Sequence, residues 1–173
     1  MSNPILTGQQ LLTAMVNAAN PTHKQWTAAE LVFGSPQVNA DATHNTVVPV
    51  SAVDMATYTG SRELFYNRVS LAEIPRGETA AFELDQETTT TAVAALLRTK
   101  YKVNLDPDDV IAEPLTPDDS GEYAQIIRAA PNSLKWNGQI TVNLTPRLIP
   151  LDEALPNNRL DGLTLDMLGI PEE

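Results

Sequence analysis

Two histidines, His23 and His44, are the first candidates for chemistry, because a histidine pair can bind a metal or exchange protons near neutral pH. Neither has a carboxylate or a serine at useful spacing, so they read as solvated loop residues. The acidic clusters Asp106, Asp108, Asp109 and Asp118, Asp119, Glu122 offer oxygens for a cation. Asp118, Ser120 and Glu122 alternate beside Gly121, but the twelve-residue frame of a calcium loop is missing. Helix capping accounts for Asp106 and Asp109, and a turn accounts for Asp118 to Gly121. Pairs of carboxylates for glycoside cleavage arise by chance among 22 acids, and no motif selects one. There is no nucleophile-elbow Gly-x-Ser-x-Gly and no phosphate-binding loop. Without a cysteine, disulfides, thiolate catalysis and Cys-ligated metals are excluded. No metal or cofactor is expected, and no enzyme activity.

The aromatic residues Trp26, Phe33, Tyr58, Phe65, Tyr66, Tyr101, Tyr123 and Trp136 could build a carbohydrate platform, but they read first as core. Arg98, Lys100 and Lys102 cluster where a helix would end, and complement its dipole there. Asn143-Leu144-Thr145 matches a glycosylation acceptor, which the absence of a signal-peptide pattern leaves unread. The net charge of −11 and the shortage of Lys and Arg argue against nucleic acid and against an anionic membrane surface. No apolar run is long enough to span a membrane.

The elements that must position these residues recur along the chain. Residues 7 to 19 predict a helix capped by Thr7, with Leu11, Leu12, Met15, Val16 and Ala19 on one stripe and Asn20-Pro21 as its stop. Thr27 and Glu30 have capping-box spacing before Leu31-Val32-Phe33. Val47-Val48-Pro49-Val50 is β-rich, and its proline predicts an edge strand or a bulge. Leu64 to Leu71 predicts one strand, preceded by a turn at Tyr58-Thr59-Gly60-Ser61. A second helix follows over 88 to 101, with Val93, Leu96, Leu97 and Tyr101 on one face. Asp106-Pro107 caps a further turn. Tyr123 to Ala129 and the alternating Ile140, Val142, Leu144 predict strands, with Asn137-Gly138 as a hairpin signal between them.

The two runs align at nearly constant spacing. Leu12, Met15 and Val16 precede Val93, Leu96 and Leu97 by one common offset. Leu31 precedes Val110, and Tyr58, Gly60 and Leu64 precede Trp136, Gly138 and Val142, by offsets only slightly shorter, as small loop deletions would produce. This pattern predicts an internal duplication. The expected fold is α+β, with two similar units, each a helix on a small antiparallel sheet. Residues 1–78 form the first unit, 79–150 the second, and 151–173 a C-terminal docking arm. Units of this size are marginal alone and are expected to pack together. Leu160, Leu163, Leu165 and Leu168 of the arm are the candidate partner-binding residues.

The segment Leu11-Leu12-Thr13-Ala14-Met15-Val16-Asn17-Ala18-Ala19-Asn20, with Leu31-Val32-Phe33-Gly34, resembles the opening of small duplicated virion proteins of large tailed bacteriophages. Leu96 to Asp109, with its Lys100-Tyr101 and Asn104-Leu105, is similar to their second helix and its exit. The resemblance covers about residues 5 to 150. It implies a non-catalytic structural role in a virion, in the tail, baseplate or neck ahead of a capsid decoration. The implied partners are other virion proteins, in a multi-copy or homo-oligomeric assembly. A carbohydrate-binding module on the particle surface is the alternative.

Overall fold

The structure is a computed structural model, and it describes residues 6–40, 43–85, 88–116 and 121–147. The first helix, α1, spans Gly8–Ala19. Thr7 caps it by accepting from the Gln10 N–H at 3.2 Å, while Gln10 Oε1 accepts from the Thr7 N–H at 2.8 Å. It ends at Asn20, whose side chain donates to the Val16 carbonyl, just before Pro21. Leu12 and Thr13 are its buried residues, and the Thr13 hydroxyl is satisfied by the Gln9 carbonyl.

Four strands make the first sheet: β1 (Leu31–Phe33), β2 (Gln37–Val38), β3 (Thr46–Ala52) and β4 (Ser61–Tyr66). Strand β3 is central. Strand β4 covers one of its edges, and β1 and β2 share the other. This overturns the edge or bulge expected for Pro49. The proline sits in the gap between β1, whose register ends at Phe33↔Val50, and β2, which begins at Gln37↔Val47. No ladder bond is lost there, and the Pro49 carbonyl still accepts from the Gly34 N–H at 2.9 Å. The arrangement depends on Gly34, where an added Cβ would lie 2.8 Å from Pro49 Cγ. Gly34→Ala is therefore expected to cost about 1–3 kcal/mol. Chemical denaturation checks it; an unchanged midpoint would show that the proline ring has room to move.

The single strand expected from Leu64 to Leu71 is broken. Asn67 and Arg68 turn out of the ladder to bind Asn45, with Asn45 N–H on Asn67 Oδ1 at 2.8 Å and Arg68 N–H on Asn45 Oδ1 at 2.9 Å. Polar side chains here compete successfully with the sheet for backbone groups. A short strand β5 (Val69–Ser70) resumes beyond them, and a single 3-10 turn follows over Leu71–Glu73.

The second half also runs from a helix into a sheet, and is preceded by strand β6 (Ala81–Leu84). Helix α2 spans Thr90–Tyr101, capped by Thr89 and closed by Lys102 in the left-handed region at φ 54°. Thr90, within the threonine run, is fully buried because its hydroxyl donates to the Ile111 carbonyl at 2.7 Å and accepts from the Glu113 N–H at 2.9 Å. Then come a 3-10 turn at Pro107–Asp109 and strands β7 (Tyr123–Arg128), β8 (Trp136–Asn137) and β9 (Gln139–Pro146). Asn137-Gly138 is not a two-residue hairpin. Trp136 and Asn137 pair in parallel with β5, and Gly138, at φ 69°, then turns the chain into β9. Strand β9 is central in the second sheet, antiparallel to β7 and parallel to β6. That sheet is mixed, where the sequence predicts an antiparallel one, because α2 lies on the crossover from β6.

At the spacing of the predicted repeat, a few pairings of the two halves line up. Leu31↔Ala52 in the first sheet has its counterpart in the bridge Val110↔Ala129, and Ser51↔Ser61 in Arg128↔Gln139. The cores are unequal. Val93, Leu97, Leu105, Ile127, Val142 and Leu144 lead a large second cluster, whereas the first holds only Leu12, Val48 and Tyr66, with Phe33, Leu64 and Leu134 packed against them.

A polar seam joins the halves. The Tyr66 hydroxyl donates to the Leu134 carbonyl at 3.0 Å, and burial pushes its phenol up to about 12. Arg68 reaches Thr46 Oγ1 and the Ser133 carbonyl. Beside them Lys135, 7 % exposed, lies 2.7 Å from Asp106 Oδ2 and 2.8 Å from Asp109 Oδ2. Ser133 Oγ donates to the other Asp109 oxygen at 2.7 Å.

Candidate docking surface

In the first sheet, Leu31, Thr46, Val48 and Tyr66 point inward and are buried. The alternate residues, Val32, Val47, Pro49 and Phe65, form the opposite face. Val47 and Phe65 are directly paired across the strands, and both Phe65 and Val32 are 49 % exposed. With Pro49 exposed as well, this face is open to solvent among the described residues. Val53 and Met55, just past the end of β3, are also exposed. The corresponding face of the second sheet carries Ala124, Arg128, Thr141 and Thr145, with Ile126 its one large exposed apolar residue. Among the described residues the apolar patch is thus a property of the first half, and exposed apolar area of this kind marks contact sites.

The expectation that the aromatic residues are core holds for Tyr66, Tyr123 and Trp136, which are buried. It fails for Phe65, which the pleat turns outward. Trp26 and Tyr58 are half-buried and meet edge to face at 4.8 Å. The Lys24 ammonium lies 4.8 Å from the Trp26 ring centre and 5.4 Å from that of Tyr58. They line a wide cavity of about 650 Å³ with Val16, Asn20, His23 and Arg62. At the offsets of the predicted repeat, Val16, Trp26, Arg62 and Tyr58 align with Leu97, Leu105, Ile140 and Trp136, which are all buried.

Lys24 also donates to Glu30 Oε1 at 2.7 Å, and Glu30 Oε2 accepts from the Thr27 N–H and hydroxyl. The Lys24 contact, then the Thr27 bonds, hold the Glu30 carboxyl down at about 2, and the same pair raises Lys24. The contribution of a carboxylate with a lowered pKa is present above the ordinary value of 4.5 and is lost as pH falls through about 2. Titration followed by carbon NMR is expected to place Glu30 last among the glutamates to protonate, and Lys24→Met to move its midpoint upward. An ordinary midpoint in the parent protein would remove the contact from solution.

His23 and His44 lie in loops, as expected. The turn at Asp106 to Asp109 is a capping box, with the Asp106 N–H donating to Asp109 Oδ2 at 2.9 Å, but both carboxylates also hold Lys135, which sequence reasoning missed. Asp118 and Asp119 lie outside the described residues, as do Leu160, Leu163, Leu165 and Leu168. Asn143 of the glycosylation pattern sits in the middle of the central strand β9, paired on both sides, and not in a loop. Among the described residues no three metal-ligating side chains gather, and no helix is long and apolar enough to cross a membrane.

The sequence matches DUF7941, a family of unknown function, over residues 1–167. The chain belongs to this family. The shared DUF7941 pattern thus takes in both halves and most of the arm. No curated protein and no solved structure matches the chain.

Proposed function

We propose that this DUF7941 protein is a non-enzymatic structural component of a tailed-phage virion, seated among other virion proteins in the tail, baseplate or neck. The observation that carries the docking role is the uncovered apolar face of the first sheet, centred on Phe65 and Val32. An acidic surface keeps such a protein dispersed until a matching partner covers the patch. The virion assignment rests on the resemblance of the two helix-and-turn segments. Quantitative mass spectrometry of purified particles tests it: the protein is expected in several copies per particle, and Phe65→Lys is expected to abolish incorporation without moving the melting temperature. Absence of the parent protein from particles overturns the reading.

A second reading, a carbohydrate-binding module on the particle, is favoured by the Trp26–Tyr58 pair in its open cavity. Aromatic faces with a polar rim suit a sugar ring. Oligosaccharide titration is then expected to quench or shift Trp26 emission while Trp136 stays silent. No change with host polysaccharide would remove this reading.

A further inference from the structure

The chain between the two hairpins does not pack on the half it leaves. Leu71, Ile74 and Leu84, with half-buried Phe82, pack in the core of the second half, and β6 runs parallel to β9. The ammonium of Lys100, on α2, donates to the Ala81 carbonyl and lies over the Phe82 ring, so β6 fills the groove between α2 and β9. The same groove exists in the first half. Met15 and Val16 of α1 are the repeat counterparts of Leu96 and Leu97, and Leu64 and Tyr66 of β4 are those of Val142 and Leu144. There, no described strand pairs with the outer edge of β4. Met15 is 52 % exposed, and a cavity of about 250 Å³ lies between Leu11, Leu12, Met15, Tyr66 and Val69 on one side and Asn104, Leu134, Lys135 and Trp136 of the second half on the other, with Leu134 packed on Leu12 and Tyr66 at its far end.

The sequence repeats the filler as well as the groove. Leu71-Ala72-Glu73-Ile74-Pro75 returns as Leu151-Asp152-Glu153-Ala154-Leu155-Pro156, with one residue inserted. Ala81-Phe82-Glu83-Leu84-Asp85 returns as Gly162-Leu163-Thr164-Leu165-Asp166, at the same offset that separates Leu12 from Val93 and Val16 from Leu97 in the helices. The family match runs through this segment to residue 167.

The contact between the halves fixes where the second filler goes. It runs one way: Val69 and Ser70 pair with Trp136 and Asn137, and Tyr66 and Arg68 reach Leu134 and Ser133. A two-fold relation would add the reciprocal contact, Arg147 against Tyr58, the repeat counterparts of Val69 and Trp136. Instead the Arg147 N–H donates to the Leu84 carbonyl at 2.8 Å, and Tyr58 packs on Trp26. A head-to-tail relation does not close within one chain; its next step leads to another molecule.

We infer that residues 151–166 of one copy enter the groove between α1 and β4 of a second copy, in the part that Leu134 leaves open around Met15, as residues 71–85 fill the groove between α2 and β9. The register of β6 on β9 places Gly162 to Thr164 beside Phe65 to Asn67, up to where β8 takes over the edge at Val69. Leu163 then enters beside Tyr66 and Met15. This goes beyond the virion role, because it holds for the isolated protein.

Light scattering over a wide concentration range tests it. The full chain is expected to grow past a dimer, as a ring or a filament. A chain ending at Pro150, full-length Leu163→Asp, and Met15→Lys at its exposed site are each expected to be monomeric. Mixing Leu163→Asp with Met15→Lys is expected to give a one-to-one complex, since each retains the surface the other lacks. A full chain that stays monomeric, with the chain ending at Pro150 melting several degrees lower, overturns the inference, because the segment then fills the groove of its own chain. Assembly that survives Leu163→Asp overturns it too.

Discussion

Lys135→Met is expected to destabilise the protein by about 3–5 kcal/mol, the cost of leaving a buried carboxylate without its cation. Lys135 and Asp109 are 7 % and 8 % exposed at the side chain, and Asp106 is 25 % exposed, so water can re-solvate little of what the substitution uncovers. The loss would not be confined to one ion pair. Asp109 also accepts from Ser133 Oγ, and that oxygen accepts from the N–H groups of Lys135 and Trp136, at 3.3 and 3.1 Å. One cluster thus ties the Pro107–Asp109 turn to the loop that carries Leu134 and Trp136. Lys135→Met with Asp109→Asn should be clearly less destabilised than the two single effects added together, since no buried charge is left alone at position 109. Urea midpoints of the parent, the two single variants and the double variant measure this. Simple additivity would mean that the groups do not act as a unit.

Trp136→Ala is expected to cost about 3–5 kcal/mol, the range for removing a large buried aromatic. Trp136 is 9 % exposed, its indole N–H donates to the Asn104 carbonyl at 3.0 Å, and its backbone pairs with Val69. Trp26→Ala should cost far less, because half-buried Trp26 loses an edge contact and a cation over its face, together about 1–2 kcal/mol. The pair of variants also divides the fluorescence. The parent spectrum should be the sum of a blue-shifted, unquenchable Trp136 and a quenchable Trp26. Equal melting temperatures for the two variants would place Trp136 outside the core.

Much of the architecture is legible from local signals. Thr7, Thr89 and the Asp106-Pro107 step mark element starts through backbone bonds that need only neighbouring residues. The alternation of Ile140, Val142 and Leu144 gives the inward face of β9 directly. What sequence reading misses depends on distant partners. Pro49 is tolerated in a central strand because β1 ends and β2 begins opposite it. Strand β6 is short and has meaning only beside β9, which begins at Gln139. Lys135 looks like any surface lysine until the fold brings Asp106 and Asp109 to it. Composition points to the leucines of the arm as the docking face, whereas the uncovered patch of the described residues lies on β1, β3 and β4. Its residues read as core by composition, and only the pleat shows that Phe65 points out.

The interleaving of the halves also bears on how the chain acquires its structure. Strand β6 must wait for β9, which is made only after the whole of α2 and β7, and Tyr66 and Arg68 of the first half must wait for Ser133 and Leu134. The first half cannot complete its contacts before Ser133 to Asn137 are made, nor the second before β9. Closing such long loops is slow compared with forming α1 or α2. A nascent chain will therefore hold two early helices and an unsealed first hairpin until β9 emerges, then complete both cores in one cooperative step. Pulse-labelled hydrogen exchange should find amides in β4 and β9 gaining protection together, well after those of the helices.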